Sequence, residues 1–113
     1  MPEQYTVFHY ERDGKDIFQE WLDNLRDMQG RTAILRRIQR IKTGNLGSNH
    51  FCRDGVWELV IDIGPGYRVY YAMIENVVVL LLCAGSKRTQ QQDIDKAVEY
   101  LQEFRERNKE NGH

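Results

Sequence analysis

Arg68 begins a β-type pattern directly behind Gly64-Pro65-Gly66, and Lys87 and Arg88 follow the end of the apolar run from Val77 to Ala84. If these two segments pair as a hairpin through Glu75-Asn76, residue 68 falls opposite about residue 83. Arg68 and Lys87 then stand at the same end of a sheet. A guanidinium and an ammonium there can hold a phosphate and stabilise the charge that develops as it reacts. Strand alternation puts Tyr70 on the face of Arg68, with Tyr67 and Tyr71 opposite. Tyrosines stack RNA bases, although aromatic residues are also ordinary strand formers.

Other chemistries find less support. No Ser-His-Asp or Cys-His arrangement is indicated, and Cys83 sits in the most apolar run, where a thiol is usually inert. His50 and Cys52 have spacing for half a metal site, but no second pair completes it. His9 reads as a strand-surface histidine. Gly64-Pro65-Gly66 is no phosphate loop, because no helix follows and Pro65 removes an N–H. The expectation is a protein without metal or cofactor.

Positioning these groups requires a sheet. Residues 5–10 are rich in β-formers and read as a first strand. Asp13 is a candidate helix cap, followed by an apolar stripe of Phe18, Trp21, Leu22, Leu25 and Met28. Gly30 breaks that pattern. A second helix is expected over about 31–42, with Ile34, Ile38 and Ile41 buried and Gly44 as its left-handed stop. A short strand at about 50–53 turns at Asp54-Gly55 into an alternating strand over 56–63. A strand over 67–74 and the doubly apolar run 77–84 follow, the latter fitting a central strand covered on both faces. Thr89 and Gln92 form a T-x-x-Q capping box for a third helix carrying Ile94, Ala97, Val98, Leu101 and Phe104. The expected order is β-α-α-β-β-β-β-α, a small α+β domain with a mostly antiparallel sheet. It occupies residues 1–113 as a single domain, with about 105–113 a frayed polar tail.

The chain has 113 residues, 41% of them hydrophobic and 29% charged, which suits one globular domain. No apolar run approaches the roughly 18 residues of a spanning helix, and no signal peptide is expected ahead of the first strand. Cytoplasmic residence, away from any membrane, is the expectation. The net charge is −1, but its distribution is uneven. Residues 1–28 carry three basic and seven acidic side chains, residues 29–88 nine and four, and residues 89–113 four and six. From Gln29 to Arg53 there are six basic residues and no acid. That asymmetry permits an anion-binding face on a nearly neutral domain. For Arg36, Arg37 and Arg40, the solvated side of a helix is the plainer explanation.

Several segments together resemble a known group. They are Gly44-Asn45-Leu46-Gly47, Asp54-Gly55-Val56-Trp57-Glu58-Leu59, Gly64-Pro65-Gly66-Tyr67-Arg68-Val69-Tyr70-Tyr71, and Leu80 to Lys87 with Thr89-Gln90 and Asp93-Ile94. With the helix start Phe18-x-x-Trp21-Leu22, they look like the HigB-like addiction module killer proteins of the RelE superfamily. The likeness spans about residues 5–104.

The resemblance implies a RelE-like fold and the toxin of a bacterial type II toxin–antitoxin pair. Such toxins are metal-free endoribonucleases that cut mRNA, typically on the ribosome, and so inhibit translation. Their chemistry is attack of the 2′-OH on the adjacent phosphate. Their usual partner is a small helix-turn-helix antitoxin encoded nearby. Carried over, Arg68 matches the phosphate-contacting arginine, and Lys87 the basic position after the last central strand. His50, where the family often has Lys, can be cationic or transfer a proton. Val60 stands where the family often has Arg, and Ile94 near the place of a tyrosine in RelE. Catalytic candidates are therefore Arg68, Lys87 and His50; RNA-binding candidates are Arg88, Tyr70, Arg53 and Arg40. The alternative is a catalytically weak member that acts as an antitoxin- or ribosome-binding module. Direct DNA binding is disfavoured, since no recognition helix follows a helix-turn-helix pattern.

Overall fold

The computed structural model describes residues 4–110. In chain order, β1 (Thr6–His9) leads into a short hairpin of β2 (Glu11–Arg12) and β3 (Lys15–Asp16). Then come α1 (Ile17–Asn24), α2 (Met28–Lys42), β4 (Asn49–Arg53), β5 (Val56–Ile61), β6 (Tyr67–Ile74) and β7 (Val78–Ser86). A 3-10 turn at Lys87–Thr89 leads into α3 (Gln90–Glu110). The main sheet is ordered β1-β7-β6-β5-β4, with β1 parallel to β7 and the other pairs antiparallel. This is a small α+β domain with three helices and a mostly antiparallel sheet, as expected.

Apolar side chains leave both faces of β7, so both must be covered. On one face, Phe18 and Leu22 of α1 and Ile34, Ile38 and Ile41 of α2 pack on Leu59, Val69, Tyr71 and Leu81. On the other, Ala97, Val98 and Leu101 of α3 pack on Val56, Tyr70, Ala72, Leu80 and Leu82. Among the described residues, no helix is long and apolar enough to cross a membrane.

The register of β6 and β7 differs from the simplest hairpin by two residues. Ile74 pairs with Val78, so the connection is the three-residue loop 75–77 rather than Glu75-Asn76 alone. Farther along, Tyr71 pairs with Leu81 but Tyr70 with Cys83, leaving Leu82 as an extra residue in β7. Loop and bulge each add one position, and Arg68 comes to lie opposite Gly85 instead of 83.

Local departures have equally local causes. Asp13 (φ +53°) and Gly14 (φ +77°) form the turn between β2 and β3, so Asp13 caps nothing. Asp16 caps α1 instead, accepting the Gln19 N–H at 3.0 Å, and its other oxygen meets His9 Nδ1 at 2.7 Å. The apolar stripe is interrupted because Leu25 is extended and Asp27 caps α2, which leaves Met28 64% exposed. Gly30 opens α2 rather than breaking a helix. A Cβ there would stand 2.6 Å from Cε2 of Tyr67, so only glycine lets the first turn reach that ring. Gly44 is the left-handed stop, at φ +96°. Thr89 Oγ1 donates to Asp93 at 2.6 Å, and the chain enters α3 through the 3-10 turn, not through a box with Gln92.

Helix α3 also outruns its expected end. It stays helical through 106–110, where a frayed tail was expected, while residues 111–113 lie outside the described ones. Arg107 gives the reason: it donates to the Tyr10 hydroxyl at 2.8 Å and to the Glu11 carbonyl at 3.2 Å. Tyr10 in turn donates to Glu103, and Arg12 reaches both Glu103 (2.7 Å) and Glu99 (3.2 Å).

Arg37 is no part of a solvated helix side. It is 8% exposed and donates to the carbonyls of Leu46 (2.9 Å), Val60 (2.7 Å) and Ser48. Its guanidinium thus ties the loop after α2 to β5. Replacing it as Arg37→Met removes three charge-assisted hydrogen bonds that hold this loop to the helix and to β5. Urea unfolding should show a loss of about 3 kcal/mol.

Asp27 yields a pH-dependent prediction. The Gly30 N–H, and then the Tyr67 hydroxyl at 2.7 Å, hold its carboxyl below the ordinary range. A depressed carboxyl stabilises the fold above its unfolded pKa and loses that contribution as pH falls through its folded pKa. The stability difference between the parent and Asp27→Asn should therefore be full at neutral pH and shrink from about pH 5 downward, read by urea unfolding at each pH.

Candidate functional site

Directly opposed residues of neighbouring strands share a face, so the register builds the site in two rows on the α3 side of the sheet. One row is His50, Glu58, Tyr70 and Cys83; the next is Val60, Arg68 and Gly85. Gly85 has no side chain, and the Asp93 carboxylate occupies its place: a Cβ there would stand 2.0 Å from Asp93 Oδ2.

Arg68 dominates this arrangement. It is 9% exposed, and its Nε lies 3.9 Å from Glu58 Oε1. The other Glu58 oxygen accepts from Gln90 Nε2 at 2.9 Å. Nη1 of Arg68 donates to the Tyr67 carbonyl at 3.3 Å, while its Nε is buried without a hydrogen-bond partner. A guanidinium has five donors. This one is held by a single long hydrogen bond and a loose ion pair, which leaves most of its capacity for an anion.

Lys87 enters from the adjoining turn. Its backbone N–H donates to the Gly66 carbonyl at 2.7 Å, fixing the start of the 3-10 turn against the Gly64-Pro65-Gly66 loop. A Cβ on Gly66 (φ +79°) would lie 3.6 Å from Lys87 Cβ and 3.7 Å from Arg68 Nη1. The two cationic residues thus flank one glycine at one end of the sheet.

The remaining candidates divide. His50 is exposed on edge strand β4, cross-strand neighbour to Glu58 on the same face as Arg68. Arg88 is exposed in the 3-10 turn. Tyr70 is fully buried with its hydroxyl unpartnered, so its ring offers no face to a base. Burial, then the carboxylates of Glu58 and Asp93, push that hydroxyl up and keep it protonated. Arg53 is engaged by Asp54 at 2.7 Å and by Asp95 of α3. Arg40 is exposed on α2, whose buried residues pack on the opposite face of the sheet.

Glu58 and Gln90 belong to the site and are missing from the sequence-based set. Alternation places Glu58 between Val56 and Val60 on one strand face, which marks it as a carboxylate in apolar company. Its pairing with Arg68 depends on the register of β5 and β6. The thiols take no part as nucleophiles. Burial, with Glu58 adding, pushes Cys52 up to about 11; burial, with Asp93 adding, pushes Cys83 up to about 12. Neither is a thiolate at neutral pH. Among the described residues, no three His, Cys, Asp or Glu side chains converge as a metal site.

Comparison with known proteins adds the relatives. The sequence pattern of the family described as "Phage derived protein Gp49-like (DUF891)" matches residues 20–102. An uncharacterized protein of Haemophilus influenzae is 43% identical over 87 residues, which is 77% of this chain and 88% of that protein.

Removing one member of a buried ion pair leaves the other uncompensated. Glu58→Leu should therefore lower unfolding free energy by about 3–5 kcal/mol. Glu58→Gln, which keeps an oxygen for Gln90, should cost clearly less in the same urea experiment.

Proposed function

The chain belongs to the Gp49-like family, a family of toxin–antitoxin type related to RelE and HigB, and we propose that it is a toxin that cleaves mRNA. In this reading the 2′-oxygen of one nucleotide attacks the adjacent phosphorus and gives up its proton. The P–O5′ bond breaks and O5′ takes a proton, leaving a 2′,3′-cyclic phosphate and a 5′-OH. Arg68 and Lys87 hold the phosphate and stabilise its added charge. His50 serves proton transfer from the same face. Arg88 adds positive charge beside them. A helix-turn-helix antitoxin encoded nearby is the proposed partner, and mRNA on the ribosome the proposed substrate.

The observation that carries this reading is the Arg68 guanidinium, buried beside Glu58 with Nε unpartnered and Lys87 next to it. An arginine serving structure alone would have each of its nitrogens hydrogen-bonded, as Arg37 has. A second reading, a module that binds an antitoxin or ribosomal surface without cutting, draws on Arg53 and Tyr70. One is tied to carboxylates and the other buried, which reduces the groups free to grip RNA.

Controlled expression in a bacterial host, with mapping of mRNA 5′ ends, separates the two. The parent should arrest growth and generate new 5′-OH ends in translated mRNA. Arg68→Ala should abolish both, and Lys87→Ala, an exposed position that spares the fold, should reduce cutting by about 10²-fold. If both variants stay folded and as toxic as the parent, the ribonuclease reading is wrong. A folded parent that neither arrests growth nor creates ends favours the binding module.

A further inference from the structure

Between α1 and α3, against the end of β7, lies a cleft of about 600 Å³ that is lined by Arg88 but by neither Arg68 nor Lys87. Its walls include Trp21, Tyr67 and Tyr100, with Arg88 and Lys96 as the cations and Asp93 as the carboxylate. Trp21 is half-buried and meets Tyr67 edge-on, ring centroids 5.9 Å apart. Tyr67 is fixed by its hydroxyl on Asp27, so the aromatic wall is rigid. Asp93 is already engaged by Thr89. Arg88 and Lys96 are exposed and, among the described residues, have no ion-pair partner.

We infer that this cleft is a nucleotide subsite, taking one base of single-stranded RNA against Trp21 and the neighbouring phosphate on Arg88 and Lys96. The inference rests on the RNA reading above and extends it to a second contact along the strand. A volume of this size suits a small-molecule group of nucleotide dimensions. A base stacked on an aromatic side chain gains about 1–3 kcal/mol without demanding a particular base. Two cations per carboxylate give the cleft the sign a phosphate needs. Consecutive residues Lys87 and Arg88 divide between the two sites: Lys87 adjoins Gly66 and Arg68, whereas Arg88 lines the cleft. A strand crossing the 3-10 turn would therefore meet cationic side chains on both sides of it.

The test uses fluorescence of the Trp57→Phe protein, in which Trp21 is the remaining tryptophan. The probes are 2′-O-methyl adenosine and uridine hexamers, which bind without being cut by 2′-OH attack. Either hexamer should quench Trp21, and Arg88→Ala/Lys96→Ala should weaken binding by about tenfold. Lys96→Ala alone should flatten the dependence of log affinity on log salt by about 0.7. Absence of quenching, or quenching with unchanged affinity and salt slope in these variants, overturns the subsite. Quenching that appears only when a protein partner is added also overturns it and assigns the cleft to that partner. Arg68→Ala separates this from the ribonuclease reading, because it should end cleavage in cells while leaving quenching in place. Arrest and cleavage without quenching reject the subsite alone; quenching without cleavage rejects the ribonuclease alone.

Discussion

A strand that is apolar on both faces must be buried on both faces, and most of this fold follows from satisfying β7. Val79 and Leu81 point to α1 and α2, and Leu80 and Leu82 point to α3. Burying one such side chain yields about 1.5–3 kcal/mol, so leaving either face open would forfeit several such contributions. Helices are therefore needed on both sides. The chain supplies two before the antiparallel strands and one after them. β1 closes the edge by pairing parallel to β7, and the Tyr10, Arg12, Glu103 and Arg107 network then ties α3 back to the start of the chain.

Within that frame two arginines are buried, and they are buried differently. Arg37 gives three hydrogen bonds to backbone carbonyls and fastens a loop. Arg68 has a carboxylate at 3.9 Å, one hydrogen bond and an unpartnered Nε. Desolvating a charge is costly unless the protein or a ligand compensates it. The contrast distinguishes a structural cation from one with capacity to spare. It comes from hydrogen-bond partners alone, without recourse to the relatives.

Much of this was legible in the sequence. Alternation places Tyr70 with Arg68, the apolar run identifies β7 as central, and Gly44 and Asp54-Gly55 mark real turns. What was not legible depended on contacts between distant segments. Gly30 looks like a helix breaker until the Tyr67 ring is found against it. Arg36, Arg37 and Arg40 look alike until the loop carbonyls near Arg37 appear. Glu58 becomes a site residue only once β5 and β6 are paired. The hairpin at Asp13-Gly14 was hidden because Asp13 is equally suited to capping a helix, and the competing cap, Asp16, lies only three residues on.

The register of β6 and β7 has a consequence for variation in this protein. Loop 75–77 is on the surface and far from Arg68, yet its length helps set which residue of β7 Arg68 meets. A side chain exchanged there must tolerate the left-handed backbone of Glu75 (φ +52°) and Asn76 (φ +65°). A deletion there that moved β7 by one position against β6 would exchange the two faces of β7, because side chains alternate along a pleated strand. Arg68 and Glu58 would keep their places, which β5 and β6 fix, while the side chains of β7 that meet α1, α2 and α3 would trade layers. The loop lies on the surface, yet the two buried faces of β7 restrain its length and two left-handed residues restrain its composition.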